Sequence, residues 1–464
     1  MGVSPSRAAI SPTGGAAIST ARSNPVCGPP VRYRRRETRS VGNSAHSPLI
    51  ESCRKCRGED PEVSPSTALS TAPSTEAESA ESVLEAVREI VPALRENGQE
   101  SEERRWILDE NIELLEKAGV FRMAVPKRFG GLDLSLAEQA KVISEIARGC
   151  PSTAWVTMVW VTSTWTATLY PDRTQEEVFA DGSVRISSAF APTGTLVPVE
   201  GGYRLSGTWR YNSGCRGADW NFTAVMVERP DGAEEEAMAL LPMSEMAITD
   251  DWHVSAGSAT GSATTTATDV FIPDHHVVGF EEVMFSATGD RSNTGATGRN
   301  YGLLSFVMAE CAAVFTGIAR GAYELFLERL PGRGITYTPW EDQSLHPLTQ
   351  LQVATAANKI TAAEALAEVW LELLQERADA GEQPTLAEKA IVRGQTAFAA
   401  QLAKEAVELL YTASGGSVIQ RSVPFQRFHR DIQGFSLHAL AQVNVNLELQ
   451  GRVLLGLDPE TYFL

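Results

Sequence analysis

What most limits how this chain can fold is a double change in the period of its apolar residues. From about residue 82 to 169, and again from about 303 to 457, they recur every three to four positions; between about 184 and 273 they alternate. The first period builds one face of a helix and the second one face of a strand. The expected order is therefore helices, a compact β region, then long helices.

The local signals place the elements. Ser82-Val-Leu-Glu85 has the form of a capping box ahead of a stripe of Val83, Val87, Ile90, Val91 and Leu94. Helical patterns follow over 105–118 and 135–148 and through a Trp- and Thr-rich stretch, 152–169, with PKRFGGLDL (126–134) as a Pro/Gly loop. VRISSAF, GGYRLSGTWRYNSG, WNFTAVMVE, AMALLPM and TTTATDVFIP read as strands broken by Gly and Pro turns. Four long helices are expected at 303–329, 347–378, 385–413 and 434–456. The class is α+β, divided as an extension (1–78), an N-terminal helical domain (79–182), a central β domain (183–298) and a C-terminal four-helix bundle (299–464).

Charge excludes some partners. The chain of 464 residues carries −18, and an acidic surface repels nucleic acid and anionic membranes. Residues 1–75 run the other way, with ten Lys/Arg against five Asp/Glu. Rich in Ser, Pro, Gly and Ala, that segment lacks the apolar content to offset the entropy of ordering itself. It reads as a disordered or spurious extension, with the Arg-rich RYRRRETRS (32–40) leaving a targeting segment open. Cys53 and Cys56 look like half a zinc knuckle without its second half, so no metal site is expected. Six irregularly spaced cysteines make no disulfide framework, and no run of 18 apolar residues suggests a membrane span. A cytoplasmic protein is the expectation.

Two motifs carry the chemistry. One is VRISSAFAPTGTLVPVEGGYRLSGTWRYNSGCRGADW (184–220); the other is HRDIQGFSLHALAQVNVNLELQGRVLLGLDPE (429–460). Both resemble the two-component flavin-dependent monooxygenases that share the acyl-CoA dehydrogenase fold, and the resemblance covers about 80–464. It implies a homotetrameric oxygenase component that takes FADH2 or FMNH2 from a separate flavin reductase. Such an enzyme uses O2, through a C4a-hydroperoxyflavin, to hydroxylate an aromatic or polyketide-like small molecule. The absence of a dinucleotide-binding Gly-rich fingerprint agrees with an external reductase.

The resemblance also implies site residues. Ser213 matches the position at the flavin N5 edge, and Ser188, Phe190, Ala191, Pro192 and Thr193 a strand-end loop along the ring and ribityl chain. On composition alone this Ser/Thr/Gly run is also ordinary turn chemistry. Arg333 and Gln352, with the Gly415-Gly416 loop, match positions where a neighbouring subunit reaches the flavin's phosphate or adenine end.

His438 is the expected proton-handling residue. It shares a helix-face spacing with Ala441, Val445 and Leu449. Arg430 and Asp431 are expected as a structural pair at that helix end. Some acyl-CoA dehydrogenases carry a Glu base eight residues after the Asp, where this chain has Ala439. Glu310, in MAECAAVFTGIARG, sits where isovaleryl-type dehydrogenases place theirs. That keeps an acyl-CoA dehydrogenase reading open, and an amine N-oxygenase is a further alternative. Two departures bear on substrate and cofactor. Ser163-Thr164-Trp165 replaces the His-Pro-Trp of phenol-acting relatives, and Ala256–Ser262 lacks the Arg of the usual Gly-rich loop, which leaves FAD versus FMN open.

Overall fold

The computed structural model describes residues 79–228, 234–285, 291–461 and 463–464. The extension, with Cys53 and Cys56, lies outside them.

Six helices come first: α1 (Ala80–Glu96), α2 (Gly98–Arg104), α3 (Asp109–Lys117), α4 (Leu136–Gly149), α5 (Pro151–Ala167) and α6 (Asp172–Val178). The α1 capping box is one turn earlier than expected. Ser79 accepts from the Ser82 amide and Ser82 reaches back, so Glu85 is not used. The stripe behind it buries Val83, Val87, Val91 and Leu94, with Ile90 at its margin. In α5 all but Val159 is buried. Its hydroxyls bond back one turn: Thr157 to the Thr153 carbonyl, Thr164 to Trp160 and Thr166 to Thr162. That is how so polar a composition occupies a core helix.

Among the described residues, seven strands form one mixed sheet: β1 (Ile186–Val199), β2 (Gly202–Asn212), β3 (Trp220–Glu228), β4 (Glu234–Pro242), β5 (Ala247–Thr249), β6 (Ala263–Pro273) and β7 (Val277–Gly279). Their order is β5-β6-β2-β1-β3-β4-β7, with β1 and β3 parallel and the other pairs antiparallel. Strand β1 runs on through 191–193, matched above to a strand-end loop, and its pairing with β3 shifts between Ala189 and Gly194. Gly194 faces Gly207 across the β1–β2 ladder. A Cβ on either would meet the Trp209 ring at 2.2 and 2.6 Å, so Trp209 lies flat over the two glycines.

The remaining helices are α7 (Phe280–Phe285), α8 (Leu303–Arg329), α9 (Pro347–Asp379), α10 (Leu386–Ala413), α11 (Phe425–Phe435) and α12 (Val443–Leu454). Among the described residues α8 alone is long and apolar enough to cross a membrane, but its apolar window is 94% buried in the core. It presses on α4 at Gly317 and Gly321, where a Cβ would meet the Ser144 and Arg148 carbonyl oxygens at 2.1 and 2.5 Å.

The helix expected at 434–456 is broken. Chain 436–442 is a turn, and the buried amide of Asn446 braces it. Its Nδ2 donates to the Leu440 and Gln442 carbonyls while its Oδ1 accepts from Arg393 Nε at 2.8 Å. The side chain takes the Leu440 carbonyl, and shares the Gln442 carbonyl with its own backbone amide, 3.1 Å away.

Candidate active site

A cavity of about 810 Å³ opens between the sheet and the helices. Trp155, Met158, Val159 and Thr162 of α5 form one wall, and Leu303, Leu304, Val307 and Cys311 of α8 another. Ser188, Ala189, Phe190 and Ala191 of β1 and Arg210, Tyr211 and Ser213 at the end of β2 close the sheet side. The β2–β6 pairing shifts between Trp209 and Asn212, and Tyr211 is at φ 62°. Such an irregularity re-aims side chains at a strand end. Tyr211 meets Trp252 edge to face at the same cavity, with ring centres 6.0 Å apart.

Trp155 joins the two sequence motifs. Its ring stacks on Phe435 at 4.3 Å and meets the His438 ring edge to face at 5.5 Å. Its Nε1 donates to Ser213 Oγ at 3.3 Å. Ser213 Oγ lies 2.7 Å from Ser262 Oγ, which lies 2.7 Å from Thr260 Oγ1, and Thr260 donates to the Gly257 carbonyl at 2.8 Å. The direction follows from the last bond. Thr260 has spent its proton, so Ser262 donates to Thr260 and Ser213 donates to Ser262. Ser213 is then left with a free lone pair and no free proton.

His438 is not on a helix face. It caps the single turn Ala439–Ala441, and its Nδ1 accepts from the Leu440 amide at 3.3 Å. The neutral ring therefore carries its proton on Nε2. Desolvation by the cavity walls holds its pKa below the usual imidazole value, although one edge of the residue stays open to solvent. A neutral, proton-donating imidazole lines the cavity.

The Arg430–Asp431 pair is also rearranged. Asp431, buried, accepts from the Gly257 amide at 2.7 Å and from Ser152 at 3.1 Å, while burial pushes its pKa up to about 6. Arg430 turns instead to Glu102 and the Ser255 carbonyl. Asp431 thus anchors the turn that begins the hydroxyl relay.

Of the expected site residues, Ser188, Phe190, Ala191, Ser213 and His438 line this cavity. Pro192 and Thr193 lie just beyond it, exposed, with Thr193 Oγ1 bonded to the Thr208 carbonyl. Arg333, Gln352, Gly415 and Gly416 are not in its wall. Arg333 donates to Ser417 Oγ and the Ser414 carbonyl, beside exposed Gly415-Gly416, and Arg329 joins it on Ser417. Glu310 is also absent from the wall. Fully buried, neither of its oxygens has a partner, and burial raises its pKa well above the carboxylate range. A protonated acid outside the cavity is not placed as a base. The sequence reading missed Trp155, Ser262 and Thr260: Trp155 and Ser262 meet Ser213 across 58 and 49 residues, and Trp155 reaches the Phe435–His438 segment from the other end of the fold.

Residues 76–177 match the acyl-CoA dehydrogenase N-terminal domain, and 309–443 the acyl-CoA dehydrogenase C-terminal domain. The chain is 31% identical over 376 residues to a pigment production hydroxylase of Rhodococcus sp. (strain ATCC 21145), covering 81% of this chain and 96% of that one. It is 30% identical over 387 residues to the flavin-dependent monooxygenase oxygenase subunit HsaA of Mycobacterium tuberculosis, covering 82% and 97%. This chain belongs to the oxygenase components of the flavin-dependent monooxygenases. The solved structure of XiaF from Streptomyces sp., in complex with FADH2 and glycerol, superposes with a TM-score of 0.78 at 27% identity, over 83% and 98% of the two chains.

As a member of that family it is a reduced-flavin-dependent oxidoreductase with the acyl-CoA dehydrogenase fold. The residues present fit a flavin: aromatic walls from Trp155 and Phe190 flank a few polar groups, Ser188, Ser213 and Arg210. That balance of apolar surface and sparse polar contacts is what a flavin ring needs.

Proposed function

We propose that this oxygenase hydroxylates a mid-sized, mostly apolar aromatic or polyketide-like molecule at the cavity, with FADH2 or FMNH2 supplied by a separate reductase. The observation that carries this is the meeting of Ser213, Trp155 and His438 at one largely apolar cavity. Bound reduced flavin supplies the electrons that split O2, one oxygen going to the substrate and the other to water. The protein's own groups do the rest. Ser213 Oγ offers only an acceptor, which suits the N–H that a reduced flavin carries at N5 and an oxidised one lacks. His438, with its proton at Nε2, would hold or pass a proton at the cavity when flavin and O2 are bound. Cys311 is no competing nucleophile, because burial pushes its thiol up to about 12. Thr162 Oγ1, buried in the wall without a partner, is placed for one polar group on the substrate.

The Arg329–Arg333 cluster beside Gly415-Gly416 is proposed to hold the flavin's phosphate end for a neighbouring copy, in a cytoplasmic homotetramer. Substrate carbon is the proposed oxidation site, with nitrogen oxidation as the alternative outcome. The test mixes the protein with FADH2 or FMNH2 without oxygen, then admits O2 and an aromatic panel, following flavin absorbance and product mass. Bound flavin should reoxidise more slowly than free flavin, and a product gaining one oxygen should form. Reoxidation as fast as in buffer, or bleaching of oxidised flavin by an acyl-CoA, would overturn the reading.

A further inference from the structure

A second cluster lies outside the cavity. Glu177 near the end of α6 faces His275 and His276, consecutive in the short turn Asp274–His276 between β6 and β7. His275 Nε2 is 2.9 Å from one Glu177 oxygen, and His276 Nε2 is 2.9 Å from the other. All three potential ligand atoms lie within 4.8 Å of one another. None of these residues lines the flavin cavity.

The arrangement is built rather than incidental. Neighbouring residues in an extended chain point to opposite sides, yet the turn brings both imidazoles to one side, with ring centres 4.5 Å apart. His276 is almost fully buried and packs edge to face on Trp220 at 5.5 Å. Thr174 Oγ1 bonds the His275 carbonyl, tying α6 to the same turn. Glu177 is the half-exposed member, and its other ion-pair partner, Arg173, stands off at 3.7 Å.

We propose that Glu177, His275 and His276 bind one divalent transition-metal ion of the zinc type, with water in the remaining position. Two imidazoles and a carboxylate with an open site form a recurrent zinc set, with bonds of about 2.0–2.2 Å. Such bonds put tetrahedral ligand atoms about 3.4 Å apart. The two Nε2–oxygen separations, 2.9 Å each, are shorter than that and the whole set spans no more than 4.8 Å, so seating an ion takes small side-chain shifts. Ligation at Nε2 leaves each neutral imidazole's single proton on Nδ1, so the ion takes the place of the hydrogen bonds to Glu177. The ion would clamp α6 to the β6–β7 turn, two segments about 100 residues apart. That separation explains why spacing in the sequence carried no metal signal.

The test uses the full-length protein, stripped with a chelator and desalted, and titrated with Co²⁺ and then Zn²⁺. One Co²⁺ per chain should bind, with the visible absorption of a four- or five-coordinate N/O site and no thiolate charge-transfer band. Zn²⁺ should displace it and raise the unfolding temperature in a concentration-dependent way. Glu177→Gln keeps a hydrogen-bonding group but loses the anionic ligand, and should weaken binding at least ~10-fold. His275→Gln/His276→Gln should abolish it, with near-UV circular dichroism confirming the fold of each variant. No saturable binding by the wild type would overturn the proposal and leave a hydrogen-bonded bridge. Unchanged one-to-one binding in the variants, or a cobalt–thiolate band pointing to cysteines, would overturn it equally.

Discussion

Glu310 offers a sharp test, because its burial fixes the sign of a pH effect. It is fully buried on α8, neither carboxyl oxygen has a partner, and its pKa is raised well above the ordinary 4.5. The folded protein therefore keeps a proton that the unfolded chain releases near 4.5. A group with a raised folded pKa contributes stability that is fully present below the unfolded pKa and lost as pH rises towards the folded one. With one extra proton bound in the native state, the slope is about −1.4 kcal/mol per pH unit across that window. Glu310→Gln cannot ionise and removes that slope. Between pH 5.5 and 7.5 the wild type should lose stability relative to the variant, at most about 1.4 kcal/mol per pH unit for as long as the folded acid stays protonated. Glu310→Met, which also removes two unsatisfied oxygens, should be more stable than wild type by roughly 1–3 kcal/mol at neutral pH. The assay is urea unfolding followed by tryptophan fluorescence, at fixed protein concentration, across that pH range. Parallel pH profiles for wild type and Glu310→Gln would show an ionised, compensated Glu310 and refute the reasoning. Hydroxylation by Glu310→Gln should persist, since the residue is not in the cavity wall.

Three further outcomes follow from the site. His438→Ala should lower product formation by roughly 10²–10⁴-fold, the range for a positioned proton donor or acceptor, with reduced-flavin affinity little changed. Because desolvation lowers the His438 pKa, the acid limb of the wild-type profile attributable to it should fall below the free imidazole value, 6.5; equal product yield from the variant would refute its role. Ser262→Ala leaves the Ser213 hydroxyl a free proton to give, so the preference for reduced over oxidised flavin should narrow about 10-fold, the worth of one hydrogen bond. Comparing dissociation constants of both redox states, by fluorescence for the oxidised one, checks this. Arg333→Ala should weaken reduced-flavin binding without altering the assembly in sedimentation; unaltered binding would remove the phosphate role.

Much of the scaffold was legible in the sequence. Helices expected at 303–329, 347–378 and 385–413 occupy 303–329, 347–379 and 386–413. They are long, strongly periodic and bounded by recognisable punctuation, Pro347 at one start and the Thr385 cap at another. The five longer strands were also found, because alternation and Gly turns mark them. The three-residue strands β5 and β7 were not, since three residues cannot display a period. The site was legible only in its local pieces. Ser213 and His438 stand out because each belongs to a motif. The relay through Ser262 and Thr260, and the packing of Trp155 between Ser213 and His438, arise from chain segments that only the fold brings together.

The broken final helix shows how a wrong local reading hid a chemical fact. With 434–456 as one helix, the amide of Leu440 would bond to the carbonyl four residues back, and His438 Nδ1 would have no backbone donor to accept from. Its tautomer would then be set by whatever entered the cavity. In the turn that exists, the Leu440 amide is spent on Nδ1, and the proton is committed to Nε2. Asn446, held by Arg393, braces that turn: its Nδ2 donates to the Leu440 carbonyl on the turn and to the Gln442 carbonyl at the start of α12. A buried asparagine eight residues downstream thus supports the turn in which the Leu440 amide makes His438 Nε2 a donor. Of the polar residues of QVNVN (442–446), Asn444 is exposed and only Asn446 is buried, inside α12, so the sequence carries no local signal for a break at 436–442.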